Sequence, residues 1–429
     1  MKNINHNKVW KSAKRLFQAL ILTSLPLFSA ACSRNENPVI IWTDRAEFAS
    51  CMELFNSSHE NTKVVVIYKE MPSRSLPPSK DEDVPDIIIG SWLKNSRTRK
   101  EFSQIDYLFS EGALKKSDFY TKLLEYGSVS SRQYLLPVSF NLPQVIFSKK
   151  NESLVNDDHI LSLDDIKTAA GSFNSKNKNN SYTAMGYGPS WDREFIYLVS
   201  KIYGTDYREK GNSFSWNQKA LDASMAYLKE WTRARNTDTE TEQNFQFKYL
   251  YMPKERQVTE NRSLFAFMES DVFFKLGEQK SENISYRWVC QEGKIPVEDS
   301  IVTLGLYKHG KNTKEAEKFI SWFFKEESQR ALIERREKMN LDTNSFGIAG
   351  GFSSIRSVTE KVYPAFYRQL RENLIPADML VTPNILPGRW NSLMEQVIYP
   401  YLQENVNTLT LKEIPSMEKR IAEWSKQYY

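Results

Sequence analysis

Between Val39 and Ile89 the sequence alternates short, wholly apolar runs with segments of helical period, and few folds satisfy that alternation. Val39 to Trp42, Val64 to Tyr68 and Asp86 to Ile89 read as strands apolar on both faces, the composition of a parallel sheet covered by helices. Phe48, Cys51, Met52 and Phe55 recur at i, i+3, i+4 and i+7, one face of a helix. The 21 residues between Trp42 and Val64 are enough for a right-handed crossover. An α/β architecture is therefore expected, and 429 residues suit two lobes rather than one small domain.

Further along, LLPVSFNLPQVIFSKKN from Leu135 is extended and broken by Pro137 and Pro143, as suits a segment passing between lobes. Ser162 to Asp165 starts a helix with capping chemistry. Trp191 to Tyr203 and Ala220 to Trp231 have helical patterns, with Arg233 to Asn244 read as a polar loop between elements. Asn312 and Glu315 form a capping box ahead of Ala316, Phe319, Ile320, Phe323 and Phe324. A Gly-rich turn spans 347–351, and the tail from Trp390 reads as two helices.

The first thirty-one residues have the composition of a secretory signal. Lys8, Lys11, Lys14 and Arg15 precede a 13-residue apolar run, Leu16 to Phe28, and Ser29, Ala30 and Ala31 lead to Cys32. Ser-Ala-Ala-Cys resembles the bacterial lipobox, which implies cleavage before Cys32, acylation of that cysteine and a polar tether over 32–38. Acyl chains contribute roughly 0.8 kcal/mol per buried CH₂, so several on one cysteine anchor firmly. The segment holds five of the 58 basic residues and no acids, leaving 53 against 53. A mature chain of zero formal charge lacks the basic surplus of a nucleic-acid binder. Cys51 and Cys290 read as two free, buried thiols.

Catalytic motifs are not found. The histidines His6, His59, His159 and His309 form no metal-ligand spacing, and neither a nucleophile elbow, a P-loop nor a dinucleotide fingerprint occurs. No catalytic residue, metal or cofactor is expected.

The order of landmarks is similar to that of the extracellular solute-binding proteins of ABC importers, in the sugar-binding group typified by maltose-binding protein. The Leu135 segment resembles that family's crossover, SLDDIKTAAGSF its following helix start, LGLYKHGKNTKEAEKFISWFFKEESQRALI its strand–turn–helix, and VTPNILPGRW its late Pro-rich loop. Phe265 to Phe274 departs from it, lacking the family's glycine, lysine and tryptophan. The resemblance implies a two-lobe α/β fold of type II, each lobe a central, mostly parallel sheet flanked by helices, with the ligand cleft between. It places lobe 1 at 39–139 plus 302–350 and lobe 2 at 140–301 plus 351–429. It implies a monomer, held to the membrane through Cys32 and facing periplasm or exterior, that captures a carbohydrate for a permease and its ATPase. A non-sugar solute, amino-bearing or anionic, and a structural or adhesive lipoprotein are the alternatives.

The candidate ligand residues are Trp42, Asp44, Trp92, Trp191, Asp192, Arg389 and Trp390. Trp42 to Asp44, and Ser91 with Trp92, follow strands, where open α/β sheets place ligands. The alternative is a core Trp42 with Asp44 capping a helix. Trp191 and Asp192, with Tyr187 and the Gly186–Pro189 loop, and Arg389 with Trp390 match family positions. Aromatic faces suit sugar rings, and Asp and Arg suit their hydroxyls. Phe352 to Ser354 is a weaker candidate, equally read as a turn. Glu269 and Asp271 suit a cationic ligand if they face the cleft, or else form the solvated face of a helix.

Overall fold

The computed structural model describes residues 37–157, 159–211, 213–339, 345–407, 409 and 413–427, so the signal segment and Cys32 lie outside it. Val39–Tyr429 is one compact unit. Along it run strand β1 (Val39–Thr43), helix α1 (Phe48–Ser58), β2 (Val64–Tyr68), β3 (Ile87–Ser91), β4 (Leu135–Phe140), β5 (Pro143–Ser148) and β6 (Ile160–Leu161). There follow α2 (Leu163–Phe173), α3 (Arg193–Ile202), α4 (Gln218–Trp231), α5 (Thr239–Lys248), β7 (Phe265–Glu269), β8 (Ile284–Val289) and β9 (Val302–Leu306). The chain ends with α6 (Thr313–Phe323), β10 (Phe352–Ser353), α7 (Tyr399–Val406) and α8 (Met417–Ser425).

Two sheets organise two lobes, as the alternation predicts. The first has the order β10-β4-β9-β3-β1-β2 and the second β7-β5-β8-β6. β1 lies parallel to β2 and β3, with Ile41 opposite Val66 and Thr43 opposite Ile89. The pairings are more mixed than expected: β9 runs antiparallel to β3 and β4, and β5 antiparallel to β7 and β8. The reason is connectivity, because strands returning from the other lobe enter from the opposite end. Strand β10 joins the first sheet at Phe352, which lies opposite Phe140.

Burial explains the apolar strands. Val39 and Ile41 enter one core while Trp42 enters another on the opposite face, so β1 is covered on both sides. β2 departs from the expectation: as an edge strand it leaves Val65 41% and Tyr68 63% exposed. The second sheet divides likewise, with Val145, Phe147 and Phe265 facing α2, α3 and α4, and Ile146, Tyr286 and Trp288 facing the core that continues into the first lobe.

Local signals behave unevenly. Ser162 caps α2, its Oγ accepting from Asp165 N at 3.1 Å. Asn312 does not make the expected cap; its backbone N–H and its amide donate to Asp86 at 2.8 and 3.1 Å, tying α6 to β3. The Arg233 to Asn244 stretch is not a loop throughout. Asp238 accepts from Thr241 N at 2.7 Å and starts α5, whose polar sequence reflects solvent on most sides. Gly347 has φ 56° and a Cβ there would meet Gly351 O at 2.1 Å, so the turn before β10 demands glycine.

Candidate functional site

β1 and β3 are parallel neighbours, so the loops after both open on one sheet edge, where α/β folds place ligands. Asp44 pairs with Arg45 at 3.2 Å, and Arg45 donates to Ser91 Oγ at 3.3 Å. Burial raises the Asp44 pKa, against the pull of Arg45. Trp92 follows with φ 58°, a left-handed backbone that costs a bulky residue roughly 1–2 kcal/mol. That turn sends the Trp92 ring out of its own sheet and onto the apolar core of the second lobe.

Two stretches connect the lobes side by side here. Asn141 and Leu142 join β4 to β5, and residues 297–301 lead into β9, with Glu298 N–H donating to Asn141 O at 3.1 Å. Ser270 braces the first of them: its Oγ donates to Asn141 Oδ1 at 2.9 Å and accepts from Leu142 N at 3.0 Å. The bracing fixes Glu269, at the end of β7, against Glu298 on the crossing segment.

Two cavities meet at this point. One, of about 210 Å³, is bordered by Trp92, Tyr197, Phe267, Trp390 and Tyr399. The other, of about 580 Å³, is polar and bordered by Asp44, Arg45, Glu47, Asn141 and Asp271. Both reach Glu269, Glu298 and Ser300, so they are two ends of one cleft.

Its electrostatics are uneven. Asp299 is saturated: it accepts from Lys201 Nζ at 2.7 Å, from Trp390 Nε1 at 3.0 Å and from the Tyr197 hydroxyl. The Glu269 and Glu298 carboxyls instead act on each other as like charges, and no donor reaches Glu298 Oε1. Burial, then the nearby Asp271 and Glu194, push Glu269 up to about 7. Burial, then Glu269, hold Glu298 well above the usual carboxylate range.

Of the residues named from sequence, Asp44, Trp92 and Trp390 border this cleft. Trp390 is only 1% exposed and packs on Tyr197, Tyr207 and Phe214, so it is a wall supported from behind. Trp42 does not reach the cleft; it is fully buried among Leu76, Ile88 and Tyr307, with Lys69 Nζ 4.1 Å from its ring centre. Trp191 and Asp192 border neither cavity. Trp191 stacks on Phe245 and donates to Glu242 O at 2.9 Å, and Asp192 pairs with Lys254 and accepts from the Tyr187 hydroxyl at 3.2 Å. A Cβ on Gly188 would meet the Trp191 ring at 2.5 Å, so that loop serves packing. Arg389 borders a separate groove of about 570 Å³ with Ser96, Glu209 and Trp424. Phe352 to Ser354 are buried, Ser353 donating to Gln329 Oε1 at 2.6 Å. Glu269 ends a strand and borders the cleft, while Asp271 lies on the short helix Ser270–Phe273, borders the polar cavity and pairs with Lys275 at 2.8 Å.

No sequence pattern marks Tyr197, Tyr399, Glu298 or Asp299 as bordering a cleft. Tyr197 was legible only as a helix residue, and nothing local sets Glu298 and Asp299 apart from other surface acids. Cys51 and Cys290 are free and buried. Among the described residues no cluster of three or more His, Cys, Asp or Glu is placed to hold a metal, and no helix is long and apolar enough to cross a membrane.

No protein-family model matches the sequence, and no curated protein matches it. Solved structures do. The chain is similar to the GacH receptor of Streptomyces glaucescens, solved unliganded and with acarbose (15% identity, 91% of this chain and 97% of that one, TM-score 0.57). It is similar to the cyclic α-maltosyl-1,6-maltose binding protein of Arthrobacter globiformis (12% identity, 90% and 97%, TM-score 0.59). It is also similar to UgpB of Mycobacterium tuberculosis, solved with glycerophosphocholine (11% identity, 91% and 97%, TM-score 0.57). Over about nine-tenths of its length this chain has the two-lobe α/β fold of these binding proteins.

Proposed function

We propose that this chain is the solute-binding component of an ABC importer, which captures a small polar solute between its lobes and presents the closed form to a permease. One observation carries the reading. Trp92, projected from the first lobe, and Trp390 with Tyr399, on the second, border the same cavity. An occupant is therefore gripped from both lobes, and its binding free energy favours closure. The work is binding, without a chemical step.

The ligand class is a carbohydrate or a solute of similar size and polarity. Aromatic walls suit the C–H face of a sugar ring, and the polar end at Asp44, Arg45 and Asn141 suits hydroxyls. The similar structures include binders of acarbose, of a cyclic maltosaccharide and of glycerophosphocholine. Asp44, Trp92 and Trp390 are the sequence-derived contacts retained, joined by Tyr197, Tyr399, Glu269 and Glu298. Cleavage before Cys32 and its acylation would hold a monomer at the membrane surface, facing periplasm or exterior.

A thermal-shift screen of protein expressed from the full sequence, against saccharides, amino acids and polyamines, tests this. A ligand at 100 times its Kd adds about 2.7 kcal/mol to the folded state. A reproducible shift that Trp390→Ala abolishes supports capture in the cleft, and silence across the panel sinks it.

A further inference from the structure

The cations bordering the cleft are already committed. Lys201 serves Asp299 at 2.7 Å and Val297 O at 3.0 Å, Lys275 serves Asp271 at 2.8 Å, and Arg45 serves Asp44 at 3.2 Å. None of them forms an ion pair with Glu269 or Glu298, which lie where the two cavities join. Glu298 Oε1 is sealed from solvent and has no hydrogen-bond donor.

The same chain shows what a structural buried carboxylate looks like. Glu242, fully buried, accepts from Ser190 N at 3.2 Å, from the Ser190 hydroxyl and from Asn236 Nδ2 at 2.6 Å. Donors from the fold surround it. The cleft pair lacks such donors: none reaches Glu298 Oε1, Lys201 acts on the pair only through space, and Phe267 and Tyr197 border the cavity beside it. Two carboxyls facing each other in a low-dielectric site are at odds with one another until a cation or a proton comes between them.

We propose that the solute taken by this cleft carries a protonated amine whose N–H groups sit between Glu269 and Glu298, with Tyr197, Trp390 and Tyr399 bordering the body of the molecule. The proposal rests on the solute-capture reading above. A neutral hydroxyl can donate to one carboxyl but brings no positive charge to replace the proton the pair holds. An ammonium supplies up to three donors and the missing positive charge. Burial raises the pKa of both carboxyls, so the empty pair holds a proton that the ammonium displaces to solvent, and capture releases a proton.

Calorimetry on protein expressed from the full sequence tests this with glucosamine, its β-1,4-linked disaccharide and spermidine, set against the N-acetylated sugars and maltotriose. Titrations in buffers of different ionisation enthalpy count protons. We expect an amine to bind at least about tenfold more tightly than its N-acetylated or neutral counterpart. We also expect proton release with the native protein that Glu269→Gln and Glu298→Gln each abolish, together with the preference. Thermal unfolding of both variants verifies that they fold. Neutral sugars binding as tightly as amines would overturn the inference and leave solute capture standing. Amine binding unchanged in both variants, with no proton released, overturns the placement. No binding across the panel overturns both readings.

Discussion

Trp390 donates its indole N–H to Asp299 Oδ2 at 3.0 Å, joining the aromatic wall of the second lobe to the segment that crosses into the first. The same carboxylate holds Lys201 and the Tyr197 hydroxyl. Three side chains that border the cleft therefore take their positions from one residue. Asp299→Ala should cost about 3 kcal/mol, since it leaves the Lys201 charge without its partner. Denaturant unfolding measures this. A cost below about 0.5 kcal/mol would mean the three donors find other acceptors.

Trp390 itself separates packing from hydrogen bonding. Trp390→Ala should destabilise by about 3–5 kcal/mol, because the ring fills space between Tyr207 and Phe214. Trp390→Phe keeps an aromatic wall and loses the donor, for about 1 kcal/mol. Ligand affinity in the Phe variant should stay within a few-fold of native. A loss as large as in the Ala variant would show that the N–H, rather than the ring face, matters for binding.

Glu269 and Glu242 are both pushed up to about 7, in each case chiefly by burial. A carboxyl raised by folding keeps its proton after the unfolded chain has lost it. Between the ordinary value of 4.5 and about 7 the native state thus holds more protons, and stability falls as pH rises. The groups around Glu269 are Glu298, Asp271, Glu194 and Lys201. Without ligand, Tm should decline from about pH 5 to about pH 8, with Glu269→Gln and Glu242→Gln each removing part of the decline. Affinity for an amine should move the opposite way, rising over that range as the pair gives up its proton.

A contact away from the cleft links the lobes. Ser96 N and Oγ donate to Glu209 at 2.7 and 3.0 Å, beside the Ser73 bond to Gly388 O. This contact is exposed, so Glu209→Ala should change stability by no more than about 1 kcal/mol. It should favour a more open arrangement of the lobes, visible as a larger radius of gyration by small-angle scattering without ligand. An unchanged radius would show that the bond does not govern opening.

Neither thiol should react in the native state. Burial pushes both Cys51 and Cys290 above the ordinary thiol range, most strongly at Cys51. A thiol reagent should label the two only on unfolding, and rapid native-state labelling of Cys51 would show local opening of α1.

What the sequence determined by itself is the framework. The apolar runs of β1 to β3, the i, i+3, i+4, i+7 face of α1, the Ser162 cap and the proline-marked crossover are local patterns, and the lobes follow from them. The loops after β1 and β3 were legible too, because a parallel sheet fixes which edge they occupy. Which residues face the cleft was decided by tertiary structure. Trp42 lies within β1 and Trp92 just after β3, so alternation buries the first while a left-handed turn frees the second. Glu269 and Glu298 meet only because β7 runs antiparallel to β5 and a crossing segment is pinned to Asn141. Apolar periodicity repeats along the chain and can be counted there. The opposition of two carboxyls depends on register and on the water excluded around them, and neither exists before the lobes pack.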